Sequence, residues 1–200
     1  MAISAEDVKK LRDKTGAGFK DCKAALEATN GDFDAAVAEL RKKGIAVASK
    51  REGKAASQGL IVSYIHAGSQ IGVMIEVNCE TDFVARTEPF REFGQNVAMQ
   101  IAASKPRWVD SEDVPEDLIA KEREILMEQA RTEGKPEAII EKMVEGRLKK
   151  FYSEWCLMQQ PYIRDDSITI HDLLNDLIGR CGEKIAVRRF ERWQVGEESE

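Results

Sequence analysis

The sequence predicts an α+β protein, in which a small all-helical unit leads into a small antiparallel sheet with helices packed on it. Three observations carry this. Apolar residues recur at helical spacing, between capping residues and glycine breaks, as far as Leu40. Two β-rich runs between Leu60 and Cys79 flank a short glycine-containing turn. Beyond Thr87, apolar stripes of helical period dominate, and two of them open on proline.

The helical unit comes first. Ser4-Ala5-Glu6-Asp7 reads as a capping signal, and Val8 and Leu11 follow on one face. Thr15-Gly16-Ala17-Gly18 breaks that helix. A second helix covers Phe19–Ala28 with Cys22, Ala25 and Leu26 inward, and Asn30-Gly31 ends it. Asp32 caps a third, whose stripe is Phe33, Ala36, Val37 and Leu40. Residues 1–44 are thus a three-helix module of marginal size. Residues 45–56 carry four charges among small residues and read as a helical or flexible linker. Residues 57–200 form the α+β core.

In that core Leu60, Val62 and Tyr64 alternate with Ile61, Ser63 and Ile65. After the turn His66–Gln70, one face is held by Ile71, Val73, Ile75, Val77 and Cys79, which makes a hairpin. Thr87–Ser104 reads as a helix through Phe90, Phe93, Val97 and Ile101, and Pro106 stops it. Pro115–Thr132 and Pro136–Trp155 read as long helices joined at Glu133-Gly134-Lys135, with proline at the first helical position. The stripe Ile139, Ile140, Met143, Val144, Leu148 and Phe151 reads as core. A short helix over His171–Cys181 and a strand over Lys184–Val195 complete the chain. A hairpin plus one strand is a thin sheet with exposed edges, which a second copy could cover.

Composition narrows the function. Thirty Lys and Arg stand against 36 Asp and Glu, a formal charge of −6, which argues against direct nucleic-acid binding through bulk positive charge. The charge is uneven: residues 1–56 sum to +3 and residues 57–200 to −9. No apolar run approaches the roughly 18 residues of a membrane span. Met1–Asp7 has neither a basic-then-apolar leader nor an Arg-rich transit pattern, so a cytoplasmic protein is expected. Two distant histidines, His66 and His171, make a histidine-rich metal site unexpected, and no phosphate-cradling or nucleophile-elbow motif is present. The four cysteines, Cys22, Cys79, Cys156 and Cys181, have no Cys-x-x-Cys spacing and read as buried thiols, with an intersubunit bridge through Cys156 or Cys181 left open. A protein that acts by binding, without metal or cofactor, is expected.

Val77-Asn78-Cys79-Glu80-Thr81-Asp82-Phe83-Val84-Ala85-Arg86 stands out. Thr81 and Asp82 favour a turn or helix start between the second strand and the Thr87 helix. Phe83 at that junction either folds back to plug the sheet–helix interface or projects as an anchor for a partner.

Val8–Leu26, with Thr15-Gly16-Ala17-Gly18-Phe19 at its centre, resembles the opening of the elongation factor Ts family. Glu76–Arg86, Met99–Pro106, Gly134-Lys135-Pro136 and Glu141–Phe151 resemble the same family, in its order. Phe190–Glu197 matches only loosely, and Trp155–Asp166 is atypical. The resemblance implies a UBA-like N-terminal bundle and a dimerisation-type α+β core. Only one core half fits, as in the short form, so a homodimer and a 2:2 complex are implied. It also implies guanine-nucleotide exchange on the translational GTPase EF-Tu, without covalent chemistry. Thr81, Asp82, Phe83 and Val84 would then disturb the GTPase's Mg²⁺ and phosphate site, and incoming GTP would expel the factor. Arg12 and Phe19 are implied as contacts from the helical module, and His66 as a weak one from the hairpin. Two other classes stand beside this. A UBA-like chaperone adaptor has no need of the Thr-Asp-Phe segment, and a cysteine-based redox enzyme needs a low-pKa thiol beside a base.

Overall fold

A computed structural model describes residues 3–198 of the chain. Met1 and Ala2, the first residues of the Met1–Asp7 start, lie outside the described residues. The helical elements are α1 (Ala5–Thr15), α2 (Phe19–Ala28), α3 (Phe33–Arg51), α4 (Asp82–Ala85), α5 (Glu88–Ser104), α6 (Glu116–Thr132), α7 (Glu137–Trp155) and α8 (Ile170–Cys181). The strands are β1 (Gln58–Ile65), β2 (Ile71–Cys79), β3 (Pro161–Tyr162), β4 (Asp165–Thr169) and β5 (Ile185–Gln194). One sheet runs in the order β1-β2-β5, and β3 pairs antiparallel with β4. The chain is therefore the mixed α+β protein that periodicity predicts.

Local chemistry explains the boundaries. The Ser4 hydroxyl accepts from the Asp7 backbone N–H at 3.1 Å and donates to the Asp7 carboxylate at 2.6 Å, a reciprocal cap on α1. That donated bond holds the Asp7 carboxyl below its ordinary pKa. Val8, Leu11, Cys22, Ala25, Leu26 and Ala36 form the buried centre of the first three helices, with Phe33, Val37 and Leu40 packed against it.

The third helix runs unbroken to Arg51, through most of the stretch whose composition reads as a linker. Ala46, Ala48, Lys50 and Arg51 are good helix formers, so the helical alternative prevails there. Pro115 and Pro136 correct an expectation. Both take extended ψ, 133° and 136°, and so stand at the capping position, one residue ahead of the first helical one. The fixed φ of proline suits either position.

Two compact units arise, and they do not follow sequence order. The first contains Met1–Val62, Glu76–Gln95 and Asp172–Val187. The second contains Ser63–Ile75, Asn96–His171 and Arg188–Glu200.

In the first unit, α8 lies against the helical module. A Cβ on Gly179 would stand 2.8 Å from the Cα of Gly44 in α3, so the two backbones meet where neither carries a side chain. The α1–α2 turn also meets α8, since a Cβ on Gly16 would lie 2.6 Å from Nη1 of Arg180.

In the second unit, Leu126, Ala130, Ile140, Val144 and Leu148 form the seam of an α6–α7 hairpin. Ion pairs Arg123–Glu145 (2.7 Å) and Arg147–Glu133 (2.8 Å) cross the hairpin, but exposed pairs contribute only about 0–1 kcal/mol each, so the apolar seam dominates. Ile139 of the expected stripe is 44% exposed, because it falls beside the seam. The buried Gln100 donates to Gln160 and to the Pro161 carbonyl, each at 3.1 Å, and accepts from the Ile163 N–H at 2.9 Å. This polar anchor holds the β3–β4 segment, which is too short and too charged to read as strand from sequence.

Candidate functional site

The last residue of β2, Cys79, is fully buried, and its thiol donates to the Thr81 carbonyl at 3.1 Å. Thr81 takes extended backbone angles and caps α4. That helix has four residues, far too few to be stable alone, so its orientation is set from its ends. Ala85, 3% exposed, points into the protein. Phe83 lies two residues earlier, about 200° around the helix, and must point the other way. It does: Phe83 is 79% exposed, the highest value among the exposed large apolar side chains of the described residues. Of the two roles the sequence left open, the plug is excluded. The spacing from Phe83 to Ala85 was the available signal, once a helical turn is assumed.

The neighbours hold this turn. Asp82 pairs with Arg86 at 2.7 Å, and Thr87 Oγ1 donates to the Val84 carbonyl at 2.7 Å. Asp82 and Val84 are half-buried. Behind Thr81 stands Glu183, from the α8–β5 turn. It accepts from the Thr81 N–H at 3.0 Å and from the Thr81 hydroxyl at 2.7 Å. Glu80 in turn accepts from the Lys184 N–H at 2.6 Å and from the Arg51 guanidinium at 3.3 Å. Sequence reading missed the roles of Glu80, Glu183 and Arg51, because partners 29 to 104 positions apart carry no local signal of contact.

Arg12 is exposed on the last turn of α1, and Phe19, opening α2, is 51% exposed. They belong to the same compact unit as Phe83. His66 falls in the second unit, at the hairpin turn. It is exposed and meets the Tyr64 hydroxyl at 2.9 Å.

Among the described residues, no group of three or more His, Cys, Asp and Glu is placed to hold a metal ion, and no helix is long and apolar enough to cross a membrane. Burial pushes the Cys79, Cys156 and Cys181 thiols up, Cys156 to about 11. None is an activated nucleophile. Cys156 is fully buried, which leaves the half-buried Cys181 as the better placed of the two for any bridge between copies. A disulfide-exchange reagent at pH 8 is expected to modify Cys181 first, and Cys22, Cys79 and Cys156 only on unfolding. Rapid reaction of a second thiol in the native protein would contradict this.

A family model described as Elongation factor TS matches residues 8–197. The elongation factor Ts of Moorella thermoacetica is 60% identical over 195 residues, covering 98% of this chain and 96% of that protein. That of Solidesulfovibrio magneticus is 59% identical over 198 residues, covering 99% of each. That of Carboxydothermus hydrogenoformans is 54% identical over 195 residues, covering 98% of this chain and 90% of that protein. With matches of this length and identity, the chain belongs to the elongation factor Ts family.

Proposed function

We propose that this translation elongation factor is a cytoplasmic guanine-nucleotide exchange factor for EF-Tu, and that it works as a homodimer in a 2:2 complex. The observation that carries the reading is Phe83, 79% exposed on a turn whose root is hydrogen-bonded on both sides. Large apolar side chains held in water are characteristic anchors for a partner.

The mechanism needs only binding energy. The aromatic ring, with Thr81, Asp82 and Val84 around it, enters the GTPase domain and displaces the elements that support its Mg²⁺. Because Mg²⁺ tolerates little departure from octahedral geometry, a small displacement weakens both the ion and the GDP it bridges. Linkage is reciprocal, so nucleotide loosens the factor as much as the factor loosens nucleotide, and GTP completes the cycle by expelling it. Arg12 and Phe19, on a UBA-like module, add a second contact to the same GTPase domain, and His66 adds a weak one. The chain makes and breaks no covalent bond.

The homodimer is supported by the outer face of the hairpin. There Ile65 is 63% and Met74 46% exposed, and both alternate with inward residues. An apolar sheet face of this kind is stabilised by a second layer.

The test is stopped-flow release of fluorescent GDP from EF-Tu, with and without this chain. Release accelerated by several orders of magnitude at saturating factor is expected, and an unchanged rate would refute the proposal. Sedimentation of the mixture is expected to give two copies of each protein.

A further inference from the structure

The root of the tip is built as two crossed carboxylates. Glu183 accepts from the N–H and hydroxyl of Thr81, the residue after Glu80. Glu80 accepts from the N–H of Lys184, the residue after Glu183. Each acid therefore binds the backbone next to the other, and two turns distant in sequence are laced into one clasp. Both acids are only partly open to water, the Glu80 side chain at 19% exposure. Hydrogen bonds from N–H and O–H donors to charged acceptors are the strong kind, and partial burial strengthens them further.

The clasp ends where the tip begins. The Thr81 N–H, hydroxyl and carbonyl are all engaged, by Glu183 and Cys79, and the next residue opens the four-residue helix that carries Phe83. A helix of one turn cannot fix its own direction. If Thr81 were released, the ring could swing without breaking any buried apolar contact of its own, since it is mostly in water.

We propose that Glu183 is a positioning residue for nucleotide exchange: through Thr81, with Glu80 and Lys184 completing the clasp, it fixes the direction of the Phe83 ring. This rests on the exchange-factor reading and adds to it the element that aims the wedge. A misaimed ring still meets the partner surface but disturbs the metal site less. The cost therefore falls on the maximal rate rather than on affinity, as for any group held out of reacting geometry.

The decisive variant is Glu183→Gln, which keeps size and one acceptor but sets an amide NH₂ against one of the two Thr81 donors. The maximal rate of GDP release at saturating factor is expected to fall about tenfold, the usual scale for losing a charge-assisted bond. The half-saturating factor concentration should stay within about twofold. Amide hydrogen exchange at residues 84–87 should quicken, whereas the melting curve should remain a single transition. Thr81→Val, which removes the hydroxyl donor to Glu183, should lower the maximal rate as Glu183→Gln does.

In the Phe83→Ala background, Glu183→Gln should cost nothing further, because there is no ring left to aim. An unchanged maximal rate for Glu183→Gln overturns the proposal, and so does an equal loss in the presence and absence of the ring. If Phe83→Ala alone leaves release unchanged, the wedge reading itself fails. That outcome is separately visible, and it removes this proposal as well.

Discussion

Phe83→Ala is expected to slow factor-stimulated GDP release from EF-Tu by about 30-fold, with the fold intact. The magnitude follows from what an anchoring aromatic contributes. Truncating a central interface anchor costs about 2 kcal/mol or more, and each 1.4 kcal/mol is roughly tenfold. The structural side follows from exposure. At 79% exposure the ring covers little of its own protein, so its removal should change stability by no more than about 0.5 kcal/mol. Stopped-flow release of fluorescent GDP and a thermal melt on the same sample separate the two effects. A large loss of stability would mean that the ring supports its own subunit. An unaltered rate would refute Phe83 as the wedge.

The second large effect concerns stability. Gly59, at the start of β1, has φ +151°, and a Cβ there would lie 2.1 Å from the Val77 carbonyl oxygen and 2.8 Å from the Asn78 Cα. Those obstacles are backbone atoms of β2, which cannot turn aside as a flexible side chain would. Gly59→Ala combines backbone strain, about 1–3 kcal/mol, with overpacking of similar size. A loss of about 3–5 kcal/mol in urea unfolding is expected, a large share of the roughly 5–15 kcal/mol that holds a domain together. The damage falls where β2 leads towards Cys79 and Thr81, so exchange activity should decline along with stability. A variant that unfolds at the wild-type midpoint would show that the strands separate here without cost.

Legibility followed the range of the physics involved. Caps, breaks and stripes act over a few residues, and they were readable: the Ser4–Asp7 cap, the Cys22–Ala25–Leu26 face and the Phe90–Ile101 stripe all lie where their spacing puts them. The Thr81–Val84 segment could be recognised as unusual. Yet its composition alone did not decide whether Phe83 faced in or out, because that depends on the direction of one helical turn. The polar contacts between distant residues were invisible. Nothing in the local sequence announces that Gln160, Pro161 and Ile163 surround Gln100. Glu80 and Glu183 read as two among 36 acids. Their meaning comes from partners that only the folded chain supplies, as does the approach of Gly44 to Gly179, two glycines that sit within helices and mark no break.

That glycine-to-glycine approach has a wider consequence. With α3 running unbroken to Arg51 and meeting α8 at Gly44 and Gly179, Phe19 and Phe83 are linked through packed elements of one compact unit, not through a tether. If a partner is gripped at both places, as proposed, that packing sets the distance between the two grips. The second grip then costs little extra ordering, and it favours whichever partner conformation fits that gauge.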